Sequence, residues 1–284
     1  MILRFPSREI TFPRRPLLMG IVNINDDSFC GDGSLDPAQS IELARQHYEN
    51  GADMIDIGAE SARTNRDAIS IDEEVSRLRS FIDQWDSSND WVPKDDEQIN
   101  PPLLSVNSWR PEVIEQVLGP QIDLLNDMGS LSDSRNARLC AKHGTSLLIM
   151  HSVGQPKVSH THQQWDDLMG SMKEFFRKKT NFALEEGLTR EQLILDPGLD
   201  FAKQRDDNLL LLNKLEEIID LGFPVLLPIS RKTVIGDVLQ LDDPSDRDSG
   251  PLALLSHGAS KGAHLFRVHN TKACWEALKV LSAF

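Results

Sequence analysis

Residues that can hydrogen-bond or ionise follow the short apolar runs of this sequence. In chain order they are Asn23, Asp56, Asn107, Asn126, Asp127, His151, Asp196, Ser230, Arg231, Lys232, Arg267 and His269. A single polar residue at such a place is often only a helix cap or a turn residue. Because a polar residue follows every run, we interpret the set as one candidate site.

Four of these residues form a basic group late in the chain. Arg231 and Lys232 follow one apolar run, and Arg267 and His269 lie at the end of the next. The chain as a whole is acidic, with a formal net charge of −14. A local basic cluster in such a chain indicates a pocket for an anion.

Eight apolar runs must position these residues, and an amphipathic stretch follows each run. The runs begin at Leu17, Met54, Leu103, Ile122, Ser146, Leu193, Val225 and Leu265. Predicted helices include residues 37–50, 71–85, 165–186 and 207–221. Buried strands that alternate with helices predict a parallel sheet, and eight units favour an α/β fold of the TIM (β/α)8 barrel type in a single domain, 1–284. A doubly wound sheet would call for a GxGxxG loop, which does not occur.

The barrel brings the polar strand ends to one face, because active sites of this fold lie at the carboxyl ends of the strands. The basic group follows strands seven and eight, where the fold often builds a phosphate site. Residues 1–16 are predicted to be an N-terminal extension. Residues 86–102, rich in Asp, Asn, Ser and Pro, are predicted to be a mobile loop at the opposite end.

Composition excludes several classes of function. The chain has 284 residues, 44 acidic against 30 basic, and this balance argues against non-specific binding to nucleic acid or to an anionic membrane. No apolar run is long enough to span a membrane. Three widely spaced cysteines indicate reduced thiols, so we expect a cytoplasmic protein.

Several motifs together resemble those of the dihydropteroate synthases, which belong to the pterin-binding barrel family. They occur in the order of that family and cover about residues 17 to 284. The motifs occupy residues 19–29, 51–63, 125–127, 150–151, 195–198, 230–232 and 266–269.

The resemblance implies an activity, a cofactor and an assembly. Enzymes of this family condense 6-hydroxymethyl-7,8-dihydropterin pyrophosphate with 4-aminobenzoate and release pyrophosphate with the help of Mg2+. The pterin methylene carbon, cation-like as pyrophosphate departs, is captured by the arylamine nitrogen. The resemblance also implies a homodimer formed through the last helices, where Ala273, Leu278, Val280 and Leu281 offer an apolar surface.

The resemblance further implies roles for individual residues. Asp196, Asn126, Asn107 and Lys232 would bind the pterin, and Arg63, Arg267 and His269 would bind pyrophosphate. Ser230 and the two loops that carry Asp27, Phe29 and Arg63 would frame the aminobenzoate. Asn23 would be a magnesium ligand through its amide oxygen. The residues expected to act in catalysis are Asp56, Asn107, Lys232 and Arg63.

The chain departs from the family at several of these motifs. Asn107 stands where the family has an aspartate, and the loss of a carboxylate about 5 Å from a developing cation corresponds to roughly 3 kcal/mol at an effective dielectric constant near 20. Asp56 could supply the missing charge. Asp200-Phe201-Ala202-Lys203 replaces Gly-Phe-Gly-Lys, and both loops around the aminobenzoate differ from the usual pattern.

Two alternatives to a synthase stay open at this point. The first is a pterin-binding paralogue without synthase activity, which Asn107 favours. The second is a pterin-dependent methyltransferase. Arg63 and the pair Arg267 and His269 argue against the second, because a methyl donor has no pyrophosphate to hold.

Overall fold

Two sheets are present in the computed structural model, which describes residues 1–25, 33–60, 67–85, 90–154, 156–158, 160 and 162–284. A short antiparallel hairpin precedes a larger parallel sheet. The hairpin strands are β1 (Ile2–Arg4) and β2 (Glu9–Thr11), and the parallel strands are β3 (Leu17–Asn23), β4 (Met54–Gly58), β5 (Leu103–Asn107), β6 (Leu124–Asp127), β7 (Ser146–Met150), β8 (Leu193–Asp196), β9 (Leu226–Pro228) and β10 (Leu265–Val268).

The parallel sheet closes on itself. Its strands lie in the order β8-β7-β6-β5-β4-β3-β10-β9. The two outer strands meet at a parallel bridge between Leu195 and Val225, where the N–H of Leu195 donates to the carbonyl oxygen of Pro224 at 2.9 Å. The predicted single-domain TIM barrel is therefore confirmed.

Helices surround the barrel and connect its strands. Those of the described residues are α1 (Pro37–Glu49), α2 (Ile71–Trp85), α3 (Pro111–Val117), α4 (Ser134–His143), α5 (Leu168–Glu185), α6 (Arg205–Asn213), α7 (Glu216–Ile219), α8 (Thr233–Leu239), α9 (Gly250–Ser260) and α10 (Thr271–Leu281). The helix predicted over 207–221 is divided at Lys214, whose backbone leaves the helical angles. Within the described part of the chain, every helix is too short or too polar to span a membrane.

The alternation of side chains along each strand explains why the strands are apolar throughout. Leu17 and Met19 point into a cluster inside the barrel, together with Met54 and Leu103. Leu18 belongs instead to the larger cluster between the barrel and its helices. Both faces of each strand are thus covered by apolar groups, as a closed parallel sheet requires.

The N-terminal hairpin closes the end of the barrel opposite to the polar strand ends. Its side chains Leu3, Phe5, Ile10 and Phe12 are buried in the cluster inside the barrel. The Oγ atom of Ser7 donates to Asp123 at 3.0 Å, next to β6. We therefore propose that residues 1–16, predicted only as an extension, are part of the barrel core.

Residues 90–102 pack against the same end of the barrel, and residues 86–89 lie outside the described part of the chain. The side-chain nitrogen of Gln98 donates to the carbonyl oxygens of Tyr48 and Ala52. The N–H of Ile99 donates to Asp53 at 3.1 Å. These bonds anchor this part of the segment, and the mobility of the loop as a whole stays a prediction.

Candidate active site

A cavity of about 740 Å3 opens at the carboxyl ends of the barrel strands. All eight strands, or the residues directly after them, contribute to its wall, through Asn23, Gly58, Asn107, Asn126, Met150, Asp196, Pro228, Ser230, Lys232, Arg267 and His269. The structure thus brings together eight of the residues expected to bind ligand or metal. Asp27, Phe29 and Arg63 lie outside the described residues. Asp56 lies below the cavity floor, fully buried.

Asp56 connects four strands under the cavity. One oxygen accepts the hydroxyl of Ser105 at 2.6 Å, and the other accepts the Nδ2 of Asn126 at 3.1 Å and the Nε of Arg267 at 2.7 Å. An ionised carboxylate without water is stable only when paired and hydrogen-bonded, and these three donors meet that condition. Asp56 therefore fixes the orientation of two cavity side chains.

Asp196 is a buried acid of the cavity wall, as is Glu60 at the rim. Burial raises the pKa of Asp196 to about 6, although the N–H of Gly198 and the charges of Lys232, Lys203 and Arg267 act in the opposite direction. The N–H of Gly198 donates to its carboxylate at 2.7 Å. Asp196 can therefore change its protonation state close to neutral pH.

Basic and hydroxyl groups form the wall on the side of β9 and β10. The ammonium of Lys232 donates to the carbonyl oxygen of Leu199 at 3.0 Å and lies 5.1 Å from the ring centroid of Phe201. The hydroxyl of Ser230 accepts the backbone N–H of His269 at 2.9 Å, which joins the two strand ends. This side can accept an anion, as the sequence predicts.

Asn107 lies on the wall next to Asn126, its register partner in the sheet. Its amide nitrogen contacts the sulfur of Met128 at 3.1 Å, a weak hydrogen bond. The side chain is 4% exposed. An uncharged amide therefore occupies this part of the cavity.

Asp200 replaces a family glycine and caps a neighbouring helix. Its φ of +69° lies in the left-handed region, which disfavours residues other than glycine. Its carboxylate accepts the backbone N–H groups of Thr233 at 2.6 Å and Val234 at 3.1 Å, at the start of α8. Because α8 begins directly after Lys232, this cap connects the loop after β8 to the basic side of the cavity.

Lys203 and His151 form a buried pair. His151 belongs to the polar set predicted from the sequence and Lys203 ends the motif of residues 200–203, but neither has a predicted individual role. Lys203 is 6% exposed and His151 is 2% exposed. The ammonium of Lys203 lies 2.9 Å from Nδ1 of His151 and donates to the carbonyl oxygens of Gly198 and Phe201. The lysine that ends segment 200–203, where the resembled motif also has a lysine, is a sequence signal that could have indicated the pair.

Charged groups link three loops at the rim of the cavity. Glu60, the last described residue before segment 61–66, forms ion pairs with Arg110 at 2.8 Å and Lys157 at 2.9 Å. Arg110 also contacts the buried Glu74. The base of the second loop predicted to frame an aminobenzoate is therefore held by ion pairs.

Asn23 and Asn25 are the candidate metal ligands. Asn23 lines the cavity, and the buried Oδ1 of Asn25 accepts no hydrogen bond from the described residues. No group of three or more His, Cys, Asp or Glu is placed to hold a metal within that part of the chain. These amide oxygens fit Mg2+ only as a partial ligand set, completed by the oxygens of a bound ligand.

The comparisons with known proteins agree with this geometry. The family described as pterin binding enzyme matches residues 19–269. The chain is 33% identical to a dihydropteroate synthase of Synechocystis over 272 residues, which cover 95% of this chain and 90% of that protein.

Solved structures give the same result. The dihydropteroate synthase of Yersinia pestis, solved in a sulfonamide drug complex, is 31% identical with a TM-score of 0.89 and covers 100% of this chain and 98% of its own. The enzyme of Thermus thermophilus is 31% identical and covers 100% of both chains, with TM-scores of 0.82 for its complex with 4-aminobenzoate and 0.80 for that with 6HMPPP.

The first prediction concerns the ion pair between Asp56 and Arg267 below the cavity. Asp56→Asn should lower the free energy of unfolding by about 2 kcal/mol, because the guanidinium of Arg267 would stay largely buried without its counter-ion. This value is reduced from that of a fully buried pair, since the Arg267 side chain is 20% exposed. Urea denaturation of both proteins at neutral pH measures the difference.

Asp196→Asn is the matched control. The pKa of Asp196 in the folded protein is raised to about 6, above its value in the unfolded chain. Between these two values the folded protein binds more protons than the unfolded one. Ionisation of Asp196 therefore lowers the free energy of unfolding as the pH rises through about 6. At neutral pH Asp196→Asn should therefore leave stability unchanged or raise it. Equal losses for the two variants would show that the ion pair of Asp56 contributes nothing specific.

Proposed function

Because the chain belongs to the dihydropteroate synthases of the pterin-binding enzyme family, we propose that it joins 4-aminobenzoate to a pterin carrying a methylene pyrophosphate. One observation carries this proposal. A single cavity holds a buried carboxylate and amide on one wall, Asp196 and Asn126, and cationic side chains on another, Lys232 and Arg267. The first wall suits the edge of an aminopyrimidinone, and the second suits a pyrophosphate.

The pterin edge is recognised by Asp196 and Asn126. Ionised Asp196 can accept two parallel hydrogen bonds from the amino group and ring N–H of the heterocycle. Asn126 donates its Nδ2 to Asp56, so its Oδ1 is turned away from that carboxylate and can accept a bond from the pterin. Lys232, beside Phe201, donates to the opposite polar edge.

The pyrophosphate is held by Arg267 and His269, with Arg63 as a further expected ligand. Arg267 uses its Nε for Asp56, and its guanidinium has four more N–H donors for phosphate oxygens. The ion pair with Asp56 orients the planar guanidinium of Arg267 before the substrate arrives. Little side-chain entropy of Arg267 is therefore lost when pyrophosphate binds.

Mg2+ is the cofactor that this family and these oxygens imply. Asn23 would hold it through its amide oxygen, with Asn25 nearby and the pyrophosphate supplying the remaining charge. The ion would neutralise negative charge on the leaving group.

Catalysis rests on positioning and on stabilising the departing anion. A C–N bond forms between the methylene carbon and the arylamine nitrogen while the C–O bond to pyrophosphate breaks, and the nitrogen loses one proton. Arg267 and His269 stabilise the negative charge that develops on the leaving oxygen. Ser230 lies on the side assigned to the arylamine, and Lys232 keeps the methylene group aimed at it. Asp27, Phe29 and Arg63 stay the further residues expected to frame the arylamine.

A pterin-binding protein without synthase activity is the second candidate, and Asn107 favours it. The neutral amide does not supply the negative charge that the family places beside the methylene group. One experiment separates the two functions. Purified protein is mixed with the pterin pyrophosphate and 4-aminobenzoate in the presence of Mg2+, and release of pyrophosphate that needs both substrates supports the synthase. Binding of the pterin without release supports the alternative.

The second prediction tests Asn107 directly. Asn107→Asp should raise turnover by about one to two orders of magnitude, because a carboxylate about 5 Å from the cationic methylene stabilises it by roughly 3 kcal/mol at an effective dielectric constant near 20. Single-turnover formation of the pterin-arylamine product measures the change.

The wild-type rate decides how this result is interpreted. A wild type that is already as fast as ordinary members of the family would contradict the electrostatic argument. A lower rate in Asn107→Asp would do so as well, because the added charge would then act by raising the pKa of a neighbouring acid.

The third prediction concerns pH. Only ionised Asp196 can accept both pterin bonds, and its pKa is raised to about 6 by burial. Affinity for the pterin should therefore fall by about tenfold for each pH unit below that value. Calorimetry across this range measures it. Asp196→Asn should bind the pterin more weakly than the wild type, by on the order of 2 kcal/mol, and its affinity should lack this pH dependence. The same slope in both proteins would exclude Asp196 as the anchor.

The fourth prediction concerns assembly. We propose a homodimer through the last helices, where Val280 is 60% exposed and Phe284 fully exposed. Leu278, which the sequence placed on the same surface, is 3% exposed and packs inside the chain. Light scattering should give twice the chain mass of 31.9 kDa, and Val280→Asp should give the monomer. A monomeric wild type at micromolar concentration would refute the proposal.

We also propose a cytoplasmic location. Cys140 and Cys274 are both buried and free of a disulfide, as expected for thiols in a reducing compartment.

A further inference from the structure

The loop after β8, residues 196–203, carries a buried ammonium at its end. The Nζ atom of Lys203 lies 2.9 Å from Nδ1 of His151, 3.1 Å from the carbonyl oxygen of Gly198 and 3.0 Å from that of Phe201. A lysine is seldom buried to this degree without a paired acid. Here its direct partners are neutral acceptors, so the burial of the charge needs another explanation.

The backbone that Lys203 holds is strained and tightly packed. Asp200 and Ala202 have φ of +69° and +52°, in the left-handed region that disfavours residues other than glycine. A Cβ atom on Gly198 would lie 2.0 Å from the carbonyl oxygen of His151. The turn is therefore pressed against the end of β7, and Lys203 bonds to both sides of this contact.

The charge of Lys203 acts on Asp196. Among the described residues, the charges of Lys232, Lys203 and Arg267, in decreasing order, lower the pKa of Asp196, so each favours the ionised carboxylate. Burial lowers the pKa of Lys203 to about 7, and Asp196 raises it in return. Lys203 is also influenced by Lys232, Asp200 and Asp207. Burial lowers the pKa of His151 to about 2, so the imidazole is neutral and accepts from the ammonium.

We propose that Lys203 is a positioning residue for the pterin, which holds the turn of residues 196–202 in shape and keeps Asp196 in its ionised, pterin-accepting form. Lys203 lines the cavity from the side of this turn. The proposal rests on the proposed function, because it deepens the role of Asp196 at the same site.

Two variants separate the charge of Lys203 from its hydrogen bonds. Lys203→Gln keeps an N–H donor for the carbonyl oxygens but has no charge, and Lys203→Met has neither. Calorimetry with the pterin pyrophosphate measures affinity as a function of pH, and thermal denaturation checks that each variant is folded. In both variants the midpoint of the pH dependence should move upward by about one unit, so affinity should fall about tenfold near pH 5.5. Near pH 8.5, about two units above the wild-type midpoint, Lys203→Gln should match the wild type, whereas Lys203→Met, which also lacks the bonds to the turn, should still bind more weakly.

Lys179→Gln is the matched control. The ammonium of Lys179 donates to the carbonyl oxygen of Leu131 at 2.7 Å and influences the buried Asp127, whose pKa burial also raises to about 6. Neither Lys179 nor Asp127 lines the cavity. Lys179→Gln should therefore change stability but not the pH dependence of pterin affinity.

A second readout needs no ligand. NMR of the Asp196 carboxyl carbon, assigned with Asp196→Asn, should show a higher pKa in Lys203→Gln than in the wild type. An unchanged Asp196 pKa in Lys203→Gln, or a loss of pterin affinity in that variant that is equal at every pH, would overturn the proposal. If the wild type binds no pterin, the proposed function fails, whereas the NMR measurement still tests the action of Lys203 on Asp196.

Discussion

The ion pair between Asp56 and Arg267 is the interaction on which the rest of the site depends. Asp56 has no exposed surface, so its charge is tolerated only because Arg267, Ser105 and Asn126 donate to it from neighbouring strands. The same bonds aim the guanidinium and the amide into the cavity. A single buried acid thus connects the wall that suits a heterocycle with the wall that suits an anion.

This pairing limits what Asp56 can do for the reaction. The sequence suggested that Asp56 could replace the carboxylate missing at position 107. Its charge is balanced by Arg267 at 2.7 Å, so the pair as a whole adds little negative potential above the floor. Among the described residues, Asp196 is then the carboxylate that the proposed function assigns to the heterocycle, and its raised pKa makes its charge dependent on the cations around it.

Local signals explain why most of the fold could be predicted. The helix from Ile71 to Trp85 has the expected bounds, and the strands agree with the predicted apolar runs to within two residues at either end, because buried strands and amphipathic helices carry strong periodic patterns. The hairpin was missed because strands of three residues carry no such pattern. Barrel geometry also predicts which residues share the cavity. It does not predict that Asp56 lies below the floor or that Lys203 meets His151, because both depend on side-chain direction and on contacts distant in sequence.

The departures from the family are unevenly distributed over the cavity, and this pattern bears on function. Asp196, Asn126, Lys232 and Arg267, which suit the pterin and its pyrophosphate, match the family motifs, and Asn126 and Arg267 are joined through Asp56. Asp200 has a left-handed backbone conformation that disfavours any side chain. Its carboxylate compensates by capping α8, which holds the loop after β8 in place. Position 107 has no such compensation, since its amide contacts only a thioether sulfur among the hydrogen bonds described. On the proposed function, the side chains assigned to the pterin are therefore in place, whereas the charge expected beside the cationic methylene carbon is missing.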